Sequence, residues 1–235
     1  MSIIRTGGNM RIRVGEIIGM ASLILSVGAA LCGCAVGPPP PGELSDDGLQ
    51  LVPTSLIDEL YVAPGVSLAN YQRVMLDPIE VSFKKEWRKQ HPDLKDRDVE
   101  VLKTRLADML REKLVAELAR GGYALAEAPD KDVLRLRPSI EEVDLAAPEA
   151  ASDKRTFVHS KGQMTLRVLG FDAPSGALVA RAKDFDEDPV KQILERADRV
   201  STNFAVMKIY ERWAQELRSA LDVAKVSAGA RKPQT

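Results

Sequence analysis

The residues best suited to chemistry stand near the N-terminus, where Cys32 and Cys34, the two cysteines of the chain, follow an apolar run. A disulfide between them would be strained, because a single residue separates them. Cleavage just before Cys34 would leave one thiol in the mature chain and none in its folded part. This composition suits an oxidising compartment, where a free thiol is a liability.

The segment before Cys34 has the organisation of a secretory signal. Two arginines open it, residues 17–30 form an apolar run, and small residues lead to the cysteine. The run is interrupted by Gly and Ser and is shorter than the ~20 apolar residues that a membrane-spanning helix needs. We therefore expect residues 1–33 to be removed as a signal peptide, with Met1 and Met10 both open as the start of translation.

Leu31, Cys32, Gly33 and Cys34 resemble the bacterial lipobox, in which a small residue directly precedes an obligatory cysteine. Ala or Ser is usual where Cys32 stands. The resemblance implies that Cys34 receives diacylglycerol on its sulfur and, after cleavage, an acyl chain such as palmitate on its new amine. Several chains together hold a protein stably at a membrane. Ala35, rather than Asp, favours the outer membrane. The alternative is an ordinary signal peptide cut nearby, which leaves a soluble protein.

No catalytic constellation stands out in the rest of the sequence. His91 and His159 lie in polar segments, and Ser160 directly follows His159, a spacing that does not present a nucleophile to its base. The sequence contains no GxSxG, HExxH or phosphate-cradling glycine motif. We expect a protein that is not an enzyme and takes no cofactor, with hydrolysis through Ser160 and His159 as the alternative.

Three carboxylates could bind a metal. Asp184, Asp186 and Asp188 alternate along the chain, and such oxygens can ligate Ca²⁺. The run lacks the central glycine and the distal glutamate of an EF-hand loop. The simpler interpretation is a solvated strand end whose charges discourage aggregation at a sheet edge. We therefore predict no metal site.

A basic cluster surrounds one of the two tryptophans. Trp87 stands close to Lys84, Lys85 and Arg88. Such a group could lie against lipid headgroups or an anionic glycan, and we take it as a candidate surface contact. The alternative is a tryptophan that packs under a loop while the cations are solvated.

The overall composition is that of an ordinary globular protein, with 45% hydrophobic and 29% charged residues and a net charge of −1. Removal of residues 1–33 takes away three arginines and one glutamate, which leaves 30 basic and 33 acidic residues and a net charge of −3. Because nucleic-acid binding usually requires a basic face, no nucleic-acid partner is expected.

The mature chain divides into a tether, one domain and a tail. Four consecutive prolines, Pro38 to Pro41, begin a locally stiff and extended linker, and we assign residues 34–60 to the lipidated cysteine and this tether. Residues 61–225 then form a single periplasmic domain. Residues 226–235 form a disordered tail.

Hydrophobic periodicity predicts both strands and helices in the domain. Apolar residues alternate around Pro78, where a break is expected, then over 134–145 and on both sides of a hairpin turn at 172–176. Residues 146–162 form a loop. Helical stripes cover two further segments, 98–120 and the region from 206 to 224.

The first of these helices carries its own boundary signals, with Asp98 as N-cap and Gly121 and Gly122 as a left-handed stop. The order strand-helix-strand-strand-strand-helix predicts an α+β fold. In this two-layer sandwich, two amphipathic helices cover one face of a mainly antiparallel sheet. The other face is left to solvent or to a partner.

Four segments resemble a known family. Residues 61–65 (YVAPG) and 71–78 (YQRVMLDP) resemble the opening of the bacterial lipoprotein family catalogued as domain of unknown function 3313. Residues 171–176 (FDAPSG) and 213–218 (WAQELR) resemble its later segments. The resemblance covers roughly residues 50–222. It implies an outer-membrane or periplasmic lipoprotein and supplies no catalytic residues.

The sequence supports two hypotheses about function. The leading hypothesis is a non-enzymatic accessory or binding module of a cell-envelope complex, anchored by lipid on the periplasmic side of the outer membrane, with an envelope protein as partner. The alternative is a periplasmic module that binds a small ligand or glycan, with weak hydrolytic activity. That alternative requires a pocket, expected between the sheet and loops 84–97 and 146–162.

Overall fold

Alternating apolar and polar residues form the strands of the computed structural model, which describes residues 44–146, 156–158, 160–188, 195–197 and 199–229. In chain order the strands are β1 (Gln50–Leu51), β2 (Glu59–Val62), β3 (Arg73–Leu76), β4 (Glu80–Phe83), β5 (Ala124–Leu125), β6 (Val133–Leu145), β7 (Thr156–Val158), β8 (Gly162–Asp172), β9 (Leu178–Glu187) and β10 (Glu195–Ala197).

Within these residues, eight strands form one sheet in the order β1-β2-β9-β8-β6-β3-β5, and β4 also pairs with β6. Neighbours from β1 to β6 along this order are antiparallel, while β3 and β4 run parallel to β6. The helices are α1 (Trp87–Gln90), α2 (Asp96–Arg120) and α3 (Arg199–Gly229). The predicted α+β class is therefore confirmed, with the one-turn helix α1 in addition to the two predicted helices.

The first predicted strand is interrupted at Pro78, as its alternation indicated. β3 ends at Leu76 and β4 begins at Glu80. Proline has no N–H to donate to a strand ladder, so the pairing stops around it. Both halves nevertheless pair in parallel with β6, and α2 connects them to it in sequence.

The boundaries of α2 differ in detail from the prediction. Asp98 is not the N-cap, because the helix begins at Asp96; Asp98 instead accepts a hydrogen bond from the backbone N of Lys95, at 3.1 Å. At the other end Gly122 is left-handed, with φ +76°, whereas Gly121 stays right-handed, with φ −76°. The buried leucine stripe of α2 consists of Leu102, Leu106, Leu110, Leu114 and Leu118.

The predicted hairpin is formed by β8 and β9, which pair along nearly their whole length. The backbone N of Asp172 donates to the carbonyl of Ala177 at 2.9 Å, and Gly176 supplies the positive φ, +71°, that the turn requires.

The core lies between this sheet and the helices. Its fully buried side chains include Val74, Leu134, Ile140, Met164, Tyr210 and Trp213.

The folded part begins before residue 60, so the predicted extent of the tether was wrong. β1 and β2 extend the sheet beyond β9, and Leu49 is buried, with 1% of its surface exposed. Apolar side chains in this segment pack against the sheet, and a segment that packs cannot serve as a free spacer. Residues 34–43 lie outside the described part of the chain.

Two other boundaries also need correction. α3 continues to Gly229, so part of the predicted tail, 226–235, is helical. The predicted loop 146–162 contains β7, which pairs with β10 in a separate two-stranded sheet. Residues 147–155 and 230–235 are not among the described ones. No helix in the described part is long and apolar enough to span a membrane.

Candidate functional site

Trp87 does not form the surface contact that its basic neighbours suggested. It is 1% exposed, and its indole Nε1 donates a hydrogen bond to the carbonyl oxygen of Leu145 at 3.0 Å. Its ring stacks on Phe83, with centroids 4.1 Å apart, and on His91, at 4.4 Å. The strand before Trp87 and the turn of α1 together bury this side chain, so it belongs to the core.

The cations around Trp87 are largely neutralised by neighbouring carboxylates. Lys84 Nζ lies 3.4 Å from Asp144 Oδ2, and Arg88 Nη2 lies 2.8 Å from Asp96 Oδ1. Lys85 is exposed. With its tryptophan buried and two of its three cations paired, this group makes a poor binding surface for a lipid or glycan.

The other residues singled out from the sequence either have separate hydrogen-bond partners or lie outside the described residues. Cys34 and the lipobox residues Leu31, Cys32 and Gly33 lie outside the described residues, as does His159. Ser160 Oγ donates to the carbonyl of Gly162 at 3.2 Å. His91 lies far along the chain from Ser160, and its Nδ1 is 2.9 Å from the carbonyl of Trp87.

Asp184 and Asp186 are buried, which overturns their interpretation as a solvated strand end. Each is 7% exposed, because both side chains point from β9 toward α3. Together with Asp58, just before β2, and with Glu216 and Arg212 of α3, they form a group that we call the α3 carboxylate cluster. Among the described residues, no group of three or more His, Cys, Asp or Glu side chains is arranged to hold a metal ion.

Asp184 holds three elements together. Its Oδ1 accepts a hydrogen bond from the backbone N of Asp58 at 3.0 Å, and its Oδ2 accepts one from Trp213 Nε1 at 2.8 Å. In return, Asp58 Oδ2 accepts the backbone N–H of Phe185 at 2.9 Å. Burial nevertheless raises the pKa of Asp184 above its ordinary value.

Asp186 is paired with the guanidinium of Arg212, whose Nη2 also lies 3.7 Å from Asp184 Oδ2. Asp186 Oδ1 in addition accepts the backbone N–H of Glu187 at 2.7 Å. Burial raises the pKa of Asp186 as well, although Arg212 opposes the shift. Arg212 thus bridges the sheet and α3.

Glu216 is the carboxylate with the weakest contacts. Arg212 Nε lies 3.5 Å from its Oε1, and its buried Oε2 has no hydrogen-bond partner among the described residues. Burial, and then the negative charge of Asp184, raise the pKa of Glu216 to about 7. Beside it is a cavity of about 10 Å³, on the order of one water molecule in size, which is lined by apolar residues together with Asp184, Lys183 and Trp213.

The cluster therefore joins α3 to β9 and to the segment before β2. Its carboxylates bind neighbouring N–H groups and one guanidinium, and the space beside them is too small for a substrate. Alternation along β9 shows that Asp184 and Asp186 share a face with Ala180 and Ala182. That signal could have suggested burial, because both alanines occupy the face that the helices cover.

A second feature of α3 is an exposed apolar stripe, formed by Val200, Phe204 and Met207. These side chains are 72%, 58% and 38% exposed. Lys208 Nζ lies 4.6 Å from the ring centroid of Phe204, a cation–π contact. The sequence signal was present, since the three residues repeat at i, i+4 and i+7, but Val200 and Phe204 lie before the segment that the helical pattern predicted.

The stripe lies at one end of the sheet. Arg212 pairs with Asp186, while Leu217 lines the small cavity together with Ala182. α3 therefore runs antiparallel to β9. Its N-terminal residues, which include the stripe, lie toward the Glu187 end of that strand, away from the β8–β9 turn.

Comparison with known proteins gives the family. The family model described as a protein of unknown function (DUF3313) matches residues 42–217. The chain therefore belongs to the DUF3313 family, and the membership inferred from its sequence segments is confirmed. No curated protein matches the chain.

Several solved structures resemble the chain. A protein from Xanthomonas campestris of the family model DUF330 is 11% identical, with 68% of this chain and 89% of that one covered and a TM-score of 0.41. A chain of the PelC dodecamer from Paraburkholderia phytofirmans is 15% identical. The alignment covers 65% of this chain and 96% of the PelC chain, with a TM-score of 0.33. A minor lipoprotein from Acinetobacter baumannii is 13% identical to this chain. The alignment covers 65% of this chain and 92% of the other, with a TM-score of 0.35. Structural similarity with TM-scores this low gives no information about function.

Proposed function

We propose that this protein is a lipid-anchored module of the bacterial outer membrane, held on the periplasmic side through Cys34, that binds another envelope protein and catalyses no reaction. The observation that carries the binding function is the apolar stripe of Val200, Phe204 and Met207, which α3 presents to its surroundings. The anchor is supported by the signal segment and by the lipobox resemblance of residues 31–34.

A protein partner fits the stripe better than the lipid surface does. The first described residues lie at the opposite end of the sheet, because Gln50 pairs with Val62 and Val62 pairs with Ala180, close to the β8–β9 turn. Nine residues lie between Cys34 and Leu44, and an extended chain over these ten Cα-to-Cα steps spans at most ~3.6 Å per step, or roughly 36 Å. The stripe therefore lies at the end of the sheet opposite to the one where the connection from Cys34 enters the domain, which favours a protein partner over the lipid surface.

The alternative of a small-ligand or glycan module has less support. In the described part of the expected pocket region, Trp87 fills the space between residues 84–97 and β6. A groove of about 560 Å³ does lie on the outer face of α2, but the described residues that line it all belong to that one helix and most are charged. A single helix face cannot enclose a sugar ring.

The test is photo-crosslinking in living cells. A photoreactive amino acid replaces Phe204, and in a matched control it replaces Gln215, which is exposed on the same helix about 16 Å away. We expect one discrete protein adduct from position 204, weak or no adduct from position 215, and loss of the adduct when Cys34→Ala releases the chain from the membrane.

Two outcomes would overturn the partner assignment. Equal, diffuse crosslinking from positions 204 and 215 would show that α3 has no specific partner. Crosslinking of position 204 to phospholipid alone would show that the stripe faces the membrane.

A further inference from the structure

We propose that the α3 carboxylate cluster is a proton-operated latch that holds α3 firmly on β9 when it binds one extra proton and loosens α3 when that proton leaves. The inference concerns the conformation of the domain itself. It goes beyond the binding function proposed above and needs no partner to be true.

The charges at the contact of α3 with β9 are not balanced. Four carboxyl groups converge there: Asp184 and Asp186 from β9, Asp58 from the segment before β2, and Glu216 from α3. Arg212 of α3 faces them as a cation. Lys183 also lines the cavity, but its Nζ pairs with Glu59 at 3.4 Å. Asp58 is exposed, but if Asp184, Asp186 and Glu216 were all ionised, Arg212 would leave two of their negative charges uncompensated in a half-buried space, which is unfavourable.

The hydrogen bonds of the cluster leave one carboxyl group best suited to bind the proton. Both oxygens of Asp184 accept N–H donors, and Asp186 accepts Arg212 and a backbone N–H. Glu216 has a loose contact to Arg212 at 3.5 Å and a buried Oε2 without a partner. A proton is therefore held at lowest cost on Glu216, whose ionised form is the least stabilised of the buried set.

The direction of the effect follows from linkage. Burial and the charge of Asp184 raise the pKa of Glu216 from its ordinary 4.5 to about 7. Between these values the folded chain keeps a proton that the unfolded chain has released. Stability therefore falls as the pH rises from about 4.5 to about 7 and changes little above that range. The loss is concentrated where Glu216 sits, at the contact of α3 with β9.

The latch also has a mechanical consequence. Trp213 and Arg212 attach α3 to the two aspartates of β9, and Glu216 lies one turn further along the same helix. Repulsion among the ionised carboxylates acts on this attachment directly. Because the apolar stripe is on the same helix, its presentation would follow the protonation of the cluster.

The test is amide hydrogen exchange of α3 in the full mature chain, solubilised in detergent, between pH 5.5 and pH 8.5, with intrinsic rates corrected for pH. We expect the corrected exchange rates of residues 209–217 to rise about tenfold over this range, while those of α2 change little. The variant Glu216→Gln, which cannot ionise, should keep the low rates at every pH. The matched control Glu211→Gln, at an exposed position on the same helix whose carboxylate pairs with Lys113 of α2 and not with the cluster, should retain the rise.

A second measurement does not depend on any variant. The indole ¹⁵N resonances of the unmodified chain report on Trp213, which bonds to Asp184, and on Trp87, which bonds to the Leu145 carbonyl and serves as an internal reference. We expect Trp213 to titrate with a midpoint near neutral pH and Trp87 not to titrate. Flat exchange rates between pH 5.5 and 8.5, an unchanged rise in Glu216→Gln, or a Trp213 resonance that does not titrate would each overturn the latch.

Discussion

At the scale of single residues, the described domain depends on buried polar atoms that find specific partners. Trp87 and Trp213 illustrate two uses of the same side chain. Trp87 donates to a backbone carbonyl and fills the core beside Phe83, whereas Trp213 donates to a carboxylate and joins α3 to β9. A buried donor or acceptor that loses its partner costs about 1–3 kcal/mol, so these contacts contribute measurably to stability.

The burial of Trp87 leads to a graded prediction. Trp87→Ala should lower the free energy of unfolding by about 3–5 kcal/mol, because it opens a cavity in the core. Trp87→Phe should cost about 1–3 kcal/mol, since it keeps most of the ring but leaves the Leu145 carbonyl without its donor. Urea unfolding of the mature chain measures both, with the exposed Lys85→Ala as control. Equal stability of Trp87→Ala and Lys85→Ala would contradict the assignment of Trp87 to the core.

At the scale of elements, the helices are placed by their ends as well as by their apolar stripes. The backbone N of Gly122 donates to the carbonyl of Ala119 at 3.0 Å, and that of Tyr123 donates to the carbonyl of Leu118 at 2.9 Å. These bonds close the last turn of α2 and require the left-handed conformation of Gly122. The chain then continues directly into β5, and α2 packs against the sheet.

This turn gives a prediction about backbone conformation. Gly122→Ala should destabilise the domain by about 1 kcal/mol, because a Cβ at φ +76° is strained although no neighbouring atom lies within 4 Å of it. Gly122→Asn should cost less, since asparagine tolerates this region. Thermal unfolding followed by circular dichroism distinguishes the two variants. If Gly122→Ala melted like the unmodified chain, the left-handed stop would not constrain α2.

At the scale of the whole molecule, the proposed anchor residue and the described domain are separate parts of the chain. The described fold begins at Leu44, and the family match begins at residue 42, so both lie after Cys34. Loss of the lipid should therefore change where the protein is found without changing how it folds.

The corresponding prediction compares the two cysteines. Cys34→Ala should leave the membrane fraction and lose lipid labelling, while its mature domain keeps an unchanged melting temperature. Cys32→Ala should remain lipidated and membrane-bound, because alanine is a usual residue at that position of the lipobox. Lipid labelling that persists in Cys34→Ala would show that Cys34 is not the site of lipidation.

Local pattern alone determined much of this protein. The alternation that predicts β6 and the β8–β9 hairpin, the break at Pro78 and the leucine stripe of α2 depend on neighbours in sequence, so they can be read before the chain is folded. The family could also be inferred, because its segments are local. The same is true of the lipobox, whose role remains a prediction.

Only the tertiary structure decided which faces are covered. Alternation places Asp184 and Asp186 on one side of β9, but only the packing of α3 makes that side the interior and brings Arg212 and Glu216 to them. Likewise, the cations beside Trp87 suggested a surface, whereas contacts with Phe83 and with Leu145, 58 residues away, bury it. Burial and charge pairing arise between segments distant in sequence, and for this reason the chain had to be folded before they could be known.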